Sequence, residues 1–138
     1  MRFMILVKAT RDTENGVMPG EALIASMADF HEQLAKAGVL LDASGLQPSG
    51  KGWRVLYDGA RRCVIDGPFA ETKELVAGYT LIQTRTRDEA LEWTRRFPNP
   101  AADGGVAEIE VRQLYEPDDL EPGASIERLR ETGVGNGH

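Results

Sequence analysis

Two apolar stripes at helical spacing, each set between strand-like runs, constrain this chain more than any other feature. The first is Leu23, Met27, Phe30 and Leu34; the second is Ala90, Trp93 and Phe97. Residues three and four apart share one face of a helix, so each stripe predicts a helix with one side to bury. Pro19 suits the first turn of the earlier helix and Gly38 its end, which gives about five turns. Thr86 and Glu89 have the spacing of a capping box at the start of the later helix, and Pro98 and Pro100 stop it.

Strand signals surround these helices. From Phe3 to Lys8, Phe3, Ile5 and Val7 face one way and Met4 and Leu6 the other, which predicts a central strand covered on both sides. Val39-Leu40-Leu41 opens a second strand that "SGLQPSGKG" breaks. Trp53–Tyr57 and Arg61–Asp66 read as a hairpin, because Asp58-Gly59 tolerates the positive φ of a tight turn. Gly78–Thr84 is another strand, and Ala107–Tyr115 alternates as the last. Thr10–Gly20 reads as a polar loop. The order is β-α-β, hairpin, β-α-β. It predicts an α+β fold, a ferredoxin-like split βαβ with an inserted β-hairpin and both helices on one face of an antiparallel sheet. The domain spans residues 1–116; 117–138 form an acidic tail containing Gly and Pro, with a short helix expected over Ser125–Glu131. Met4 and Leu6 leave the second sheet face partly apolar, and a second copy laid sheet to sheet would cover it. A homodimer is therefore expected.

Charge and composition exclude several functions. The net charge of −6 repels phosphate backbones, so no nucleic acid is expected as a partner. The first apolar run is too short to span a membrane and no signal-type cleavage region follows it, so a cytoplasmic protein with no membrane partner is expected. The single Cys63 allows no internal disulfide; within a hairpin strand it reads as an inert core thiol. One Cys and two His, one of them His138, make no structural zinc site, and no metal or cofactor is expected. "SGKG" at 49–52 lacks the context of a phosphate loop, and no Gly-x-Ser-x-Gly elbow occurs.

One stretch is denser than a turn requires. "VIDGPFAETKEL", Val64 to Leu75, passes from a strand into Asp-Gly-Pro, an aromatic and several charges. Its core, "DGPFAETKE", resembles the signature of the DGPF-motif branch of the YCII-related family. "MRFMILVKAT", "LAKAGVLLDASGLQPS", "AGYTLIQTRTRDEALEWTRRFPNP" and "EIEVRQLYE" resemble the family's flanking segments in the same order, so the likeness covers residues 1 to about 120. The resemblance implies a dimeric α+β barrel of ferredoxin-like halves. It implies enzymes that place a His and an Asp together in a cleft, and a frequent association with extracytoplasmic-function sigma factors. Related members often carry Gly-Glu-Gly where this chain has Ala43-Ser44-Gly45, which puts Ser44 in the place of a carboxylate.

The candidate site follows from residue chemistry. His31, the one internal histidine, flanks the first stripe, and imidazole titrates in the range a general acid or base needs. It reads either as that group or as a partly buried histidine bonded to a carbonyl or carboxylate, with Asp66 and Asp42 as the carboxylates to consider. Asp66, at a strand end, either orients His31 or accepts amides of the Gly67-Pro68-Phe69 turn. Glu71, Lys73, Phe69 and Ser44 are the candidate ligand contacts. Glu71 and Lys73 alternatively form a solvated turn, and Phe69 a core plug. Trp53 and Trp93 read as packing residues. Arg54, Arg61 and Arg62 either hold an anion or discourage strand pairing at the hairpin edge. Three readings remain: a small-molecule enzyme using a His31/Asp66 acid–base pair on a small polar metabolite; a non-catalytic dimer that binds a ligand or partner, linked to sigma-factor regulation; or a chain whose Asp-Gly-Pro-Phe segment only shapes a dimer seam.

Overall fold

The computed structural model describes residues 1–133. Its main sheet has four strands: β1 (Arg2–Lys8), β2 (Leu40–Gly45), and two that follow the hairpin. The hairpin is β3 (Trp53–Asp58) with β4 (Arg61–Asp66); the main sheet then adds β5 (Val76–Gln83) and β6 (Ile109–Gln113). The sheet order is β2-β5-β1-β6, with every neighbouring pair antiparallel. The chain is thus an α+β fold with the ferredoxin-like strand order once the hairpin is set aside.

Helices α1 (Arg11–Glu14), α2 (Glu21–Lys36), α3 (Arg87–Arg95) and α4 (Ala124–Glu131) complete it. The polar loop expected over Thr10–Gly20 contains α1, whose first amides are met by reciprocal Thr10 and Thr13 hydroxyls. Pro19 lies just outside α2, which starts after Gly20, and Gly38 follows its end at φ 74°. At α3 the Thr86 hydroxyl accepts from the Glu89 amide at 3.1 Å, while the Glu89 carboxylate reaches back to the Arg85 amide rather than to Thr86. In the tail, α4 covers the expected short helix; residues 134–138, including His138, lie outside the described residues.

The core joins Phe3, Ile5 and Ile82 of the sheet to Phe30 and Leu34 of α2 and Ala90 of α3. Phe30 meets Trp93 and Phe97 edge to face, with centroids 6.2 and 5.3 Å apart. Both helices therefore cover one face. The opposite face is covered less than expected: Met4 and Leu6 are half-buried rather than buried. It carries charges as well, with Glu110 between Lys8 at 3.4 Å and Arg112 at 3.3 Å. Hydrogen bonds from Arg112 and then Lys8 hold the Glu110 carboxyl below its ordinary range. Arg2, almost fully buried, binds Glu116 through Nε at 2.9 Å and Nη2 at 3.0 Å, which ties the start of the tail to β1.

The hairpin behaves differently. Asp58 pairs with Arg61 around a two-residue loop, Gly59-Ala60, with Gly59 at φ 60°. Every residue of both strands is exposed. Cys63 is accordingly an exposed thiol, not the core thiol expected, because its strand has no layer of the same chain over it.

Candidate functional site

Along β5, the side chains facing α2 shrink from Ile82 to Thr80 to Gly78. Gly78 pairs with Gly45 and Thr80 with Ala43, so the floor loses volume toward one end of the sheet. Leu34 and Phe30 fill the deep end. Toward the N-terminus of α2 the floor beneath Met27 and Leu23 offers only small side chains, and a cavity of about 970 Å³ remains. Leu23, Met27 and Phe97 give it apolar walls, while Arg11, Asp12 and Asp103 add charge. This size is in the range of small-molecule sites, which are typically apolar with a few placed polar groups.

His31 is one of those groups. Its Nδ1 lies 2.7 Å from the Met27 carbonyl, one turn back on α2, and its Nε2 lies 2.8 Å from the Thr80 hydroxyl. A carbonyl only accepts, so Nδ1 carries the proton. In the neutral ring Nε2 is then an acceptor, and the Thr80 hydroxyl donates to it. Phe30 and Phe97 stand edge-on to the imidazole, with centroids 5.7 and 6.3 Å away, and fix its plane. The arrangement holds an imidazole lone pair in a known direction, on the hydroxyl of a threonine that is 2% exposed, in the wall of an apolar cavity.

Neither carboxylate considered for His31 meets it. Asp42 accepts from the Tyr79 hydroxyl at 2.9 Å and from the Ala43 amide at 2.9 Å. That hydrogen bond, followed by burial and the Asp42 charge, pushes the Tyr79 hydroxyl above its ordinary range. Asp66 sits on the separate hairpin sheet, exposed and outside the cavity wall. The expected His31–Asp66 contact is therefore not made within the chain, because both ring nitrogens are already engaged by Met27 and Thr80. Ser44 does line the cavity, whereas Phe69, Glu71 and Lys73 do not. Glu71 and Lys73 are exposed around a short 3₁₀ turn, Thr72–Glu74.

The Asp-Gly-Pro-Phe segment is held by a latch that the sequence did not reveal. The amides expected on the Asp66 carboxylate go elsewhere: Gly67 N–H donates to the Gly52 carbonyl at 3.0 Å, and Phe69 N–H to Ser49 Oγ at 3.0 Å. The Glu14 carboxylate accepts both the Ser49 amide, at 2.9 Å, and the Ser49 hydroxyl. The Arg54 guanidinium stacks 3.8 Å above the Phe69 ring. The Gly67-Pro68 peptide is cis. The motif thus joins α1 to the hairpin base.

Thr80 and Gly78 are the site residues that sequence reasoning missed. A period-two reading of β5 puts Gly78, Thr80 and Ile82 on one face. A threonine on a core face needs a hydrogen-bond partner, and His31 is the polar residue at the flank of the stripe above it. Among the described residues no group of three His, Cys, Asp or Glu is placed to hold a metal ion, and no helix is long and apolar enough to cross a membrane.

Comparisons with known proteins give the family of the chain. A YCII-related domain model matches residues 1–115. A relative in Rhizobium meliloti (strain 1021), an uncharacterised protein, is 31% identical over 100 residues, which is 72% of this chain and 81% of the relative. Among solved structures, 5-chloro-2-hydroxyhydroquinone dehydrochlorinase of Burkholderia phenoliruptrix AC1100, in complex with 2,5-dihydroxybenzoquinone, aligns at a TM-score of 0.46 and 12% identity. The alignment covers 84% of this chain and 95% of that one.

Proposed function

The chain belongs to the YCII-related domain family, and on that footing we propose that it is a small-molecule enzyme whose site is the cavity between α2 and the sheet, with His31 as the acid–base group. The observation that carries this reading is the tautomer. Nδ1–H is committed to the Met27 carbonyl, so Nε2 can take a proton from a ligand that reaches Thr80. Thr80 then has two uses. It holds the lone pair in place while the cavity is empty of substrate, and its hydroxyl is free to donate to a ligand oxygen once Nε2 is protonated. The substrate is compact and mostly apolar, because the walls are, and carries one acidic O–H or C–H directed at the imidazole. Asp66 belongs to this reading only as the last residue of β4, next to the latch that sets the hairpin. A homodimer accompanies it.

The test is chemical change. Purified protein is incubated with a broad metabolite set and products are followed by mass spectrometry. For any compound transformed, His31→Gln is expected to slow turnover by on the order of 100-fold or more, the usual weight of general acid–base catalysis. Thr80→Val, which keeps the shape and removes the donor, is expected to slow it by roughly 10-fold, matching about one hydrogen bond. Turnover that survives His31→Gln unchanged would sink the reading. A second reading, a ligand-binding dimer without catalysis, is favoured by one observation: among the described residues the imidazole Nδ1 is backed by the Met27 carbonyl and not by a carboxylate. It predicts bound compounds that are never transformed.

A further inference from the structure

Two glycines meet on the cavity floor, and only one of them is explained by the sheet. Gly45 of β2 pairs with Gly78 of β5, so both belong to the face that carries Ala43 and Thr80. A Cβ on Gly78 would stand 3.1 Å from the Ser44 carbonyl oxygen and 3.4 Å from Gly45 Cα. The strands run close at that point, which gives Gly78 a packing reason. Gly45 has none. A Cβ there would meet no atom within 4 Å, and its φ lies outside the left-handed region. Nor does Gly45 end the pairing of the strands, because the Leu46 N–H donates to the Ala77 carbonyl at 2.8 Å. Glycine weakens a strand. Where neither conformation nor packing calls for it, it marks a place that another group approaches closely.

The bare patch has a definite size. Neighbouring strands lie about 4.8 Å apart, and two residues along a strand cover about 6.7 Å. From Gly78 to Thr80, and across to Gly45 and Ala43, that is the footprint of one six-membered ring and one substituent. The roof keeps the same spacing. His31 Nε2 meets the Thr80 hydroxyl at 2.8 Å. Met27, one turn back on α2, lies about 6 Å along the helix axis from His31 and so comes level with Gly78. Met27, Gly45 and Gly78 all line the cavity. A methionine there gives a pliant, polarizable cover for a flat face.

We infer that the cavity takes a single flat ring, laid on the backbone of Gly45 and Gly78 beneath Met27, and that Gly45 is the specificity-determining residue that keeps this place open. The ring's polar substituent falls at Thr80. Its O–H donates to His31 Nε2, and the Thr80 hydroxyl turns to donate to the ligand oxygen. A puckered ring of equal volume stands off the backbone and loses that contact. This rests on the cavity reading of the preceding subsection and adds the shape of the group that the cavity accepts.

The probes are phenol and cyclohexanol, which share a ring size and a hydroxyl and differ in flatness. Binding is titrated by NMR on the full chain, with the amides of Gly45 and Gly78 and the His31 ring as reporters. Phenol is expected to shift all three, and cyclohexanol to bind roughly 10-fold more weakly or worse. Gly45→Ala is expected to raise the phenol dissociation constant by about 3-fold. Gly45→Val, which puts a side chain where the ring lies, should raise it by roughly 10-fold or more. Neither variant is expected to lower the melting temperature, since both relieve a strand of its glycine. Gly45→Ala keeps the test open if the larger side chain disturbs the fold. Equal binding of the two probes overturns the flat ring. Phenol binding unchanged in folded Gly45→Ala and Gly45→Val overturns the role of Gly45, and no phenol binding at millimolar concentration overturns the whole inference. The cavity reading fails separately. Compounds from a broad metabolite set whose thermal shift needs His31 but not Gly45 leave that reading standing and remove only this one.

Discussion

Gly67→Ala is expected to destabilise the protein by roughly 3 kcal/mol or more, at or above the usual upper end for overpacking. A Cβ at residue 67 would stand 1.8 Å from the Ser49 carbonyl oxygen and 2.6 Å from its carbon. Both are backbone atoms, so no rotamer change relieves the clash. Ser49 cannot retreat cheaply either. Its amide and hydroxyl are held by Glu14, and its carbonyl accepts from the Gly52 amide at 2.9 Å. Relief therefore means separating the hairpin base from the Ser49–Lys51 turn. That gives up the Gly67–Gly52 and Phe69–Ser49 hydrogen bonds, each worth about 1 kcal/mol. Urea denaturation followed by circular dichroism measures the loss, and amide exchange at Gly67 and Phe69 locates it. A loss under about 1 kcal/mol would mean that the latch has slack and that packing does not require glycine at this point.

Leu34→Ala is expected to cost about 2–5 kcal/mol. Leu34 is fully buried, against the equally buried Ile5 and Ile82. Truncation removes transfer energy and leaves a void that a strand floor cannot close, since the β1–β5 pairing fixes Phe3 against Ile82 and Ile5 against Thr80. His31→Gln, about one turn earlier on α2, is expected to cost far less, about 1 kcal/mol. There the helix overhangs the cavity and few apolar contacts are lost. Thermal and urea unfolding of the two variants side by side measure the difference. Equal losses would show that α2 is packed uniformly and that the hollow beneath its N-terminal half is closed in solution.

The fold was legible because its signals are periodic and punctuated. The stripes of α2 and α3, the continuous apolar run of β1, the alternation of β6, and the breaks at Gly38, Gly59 and Pro98 are local facts that a tertiary environment has little reason to override. Three features were not legible. Strand alternation in Trp53–Asp66 gives pairing and register but does not say whether another layer lies over the hairpin, so Cys63 was expected in a core it never enters. The bond partners of His31 depend on which residue of β5 falls beneath α2. Asp66 was the conspicuous carboxylate, whereas Thr80, buried and unremarked, is what the imidazole meets. The latch was hidden for a related reason. Glu14 and Ser49 lie 35 residues apart in what reads as loop, and no pattern links a capped single turn to a 3₁₀ turn.

This divides the roles of two segments that the sequence joins. The Asp-Gly-Pro-Phe stretch sets the hairpin, through Gly67, Phe69 and the carboxylate of Glu14. The cavity proposed to take a ligand is elsewhere, over Gly78 and Thr80, where the sheet floor runs out of side chains. The most direct measurement is a thermal-shift screen of a broad metabolite set on wild type, Asp66→Asn and His31→Gln. The account predicts compounds that stabilise wild type and Asp66→Asn alike, with the shift reduced or lost in His31→Gln. Stabilisation that survives in His31→Gln and vanishes in a folded Asp66→Asn would contradict it, and would move the site to the hairpin base.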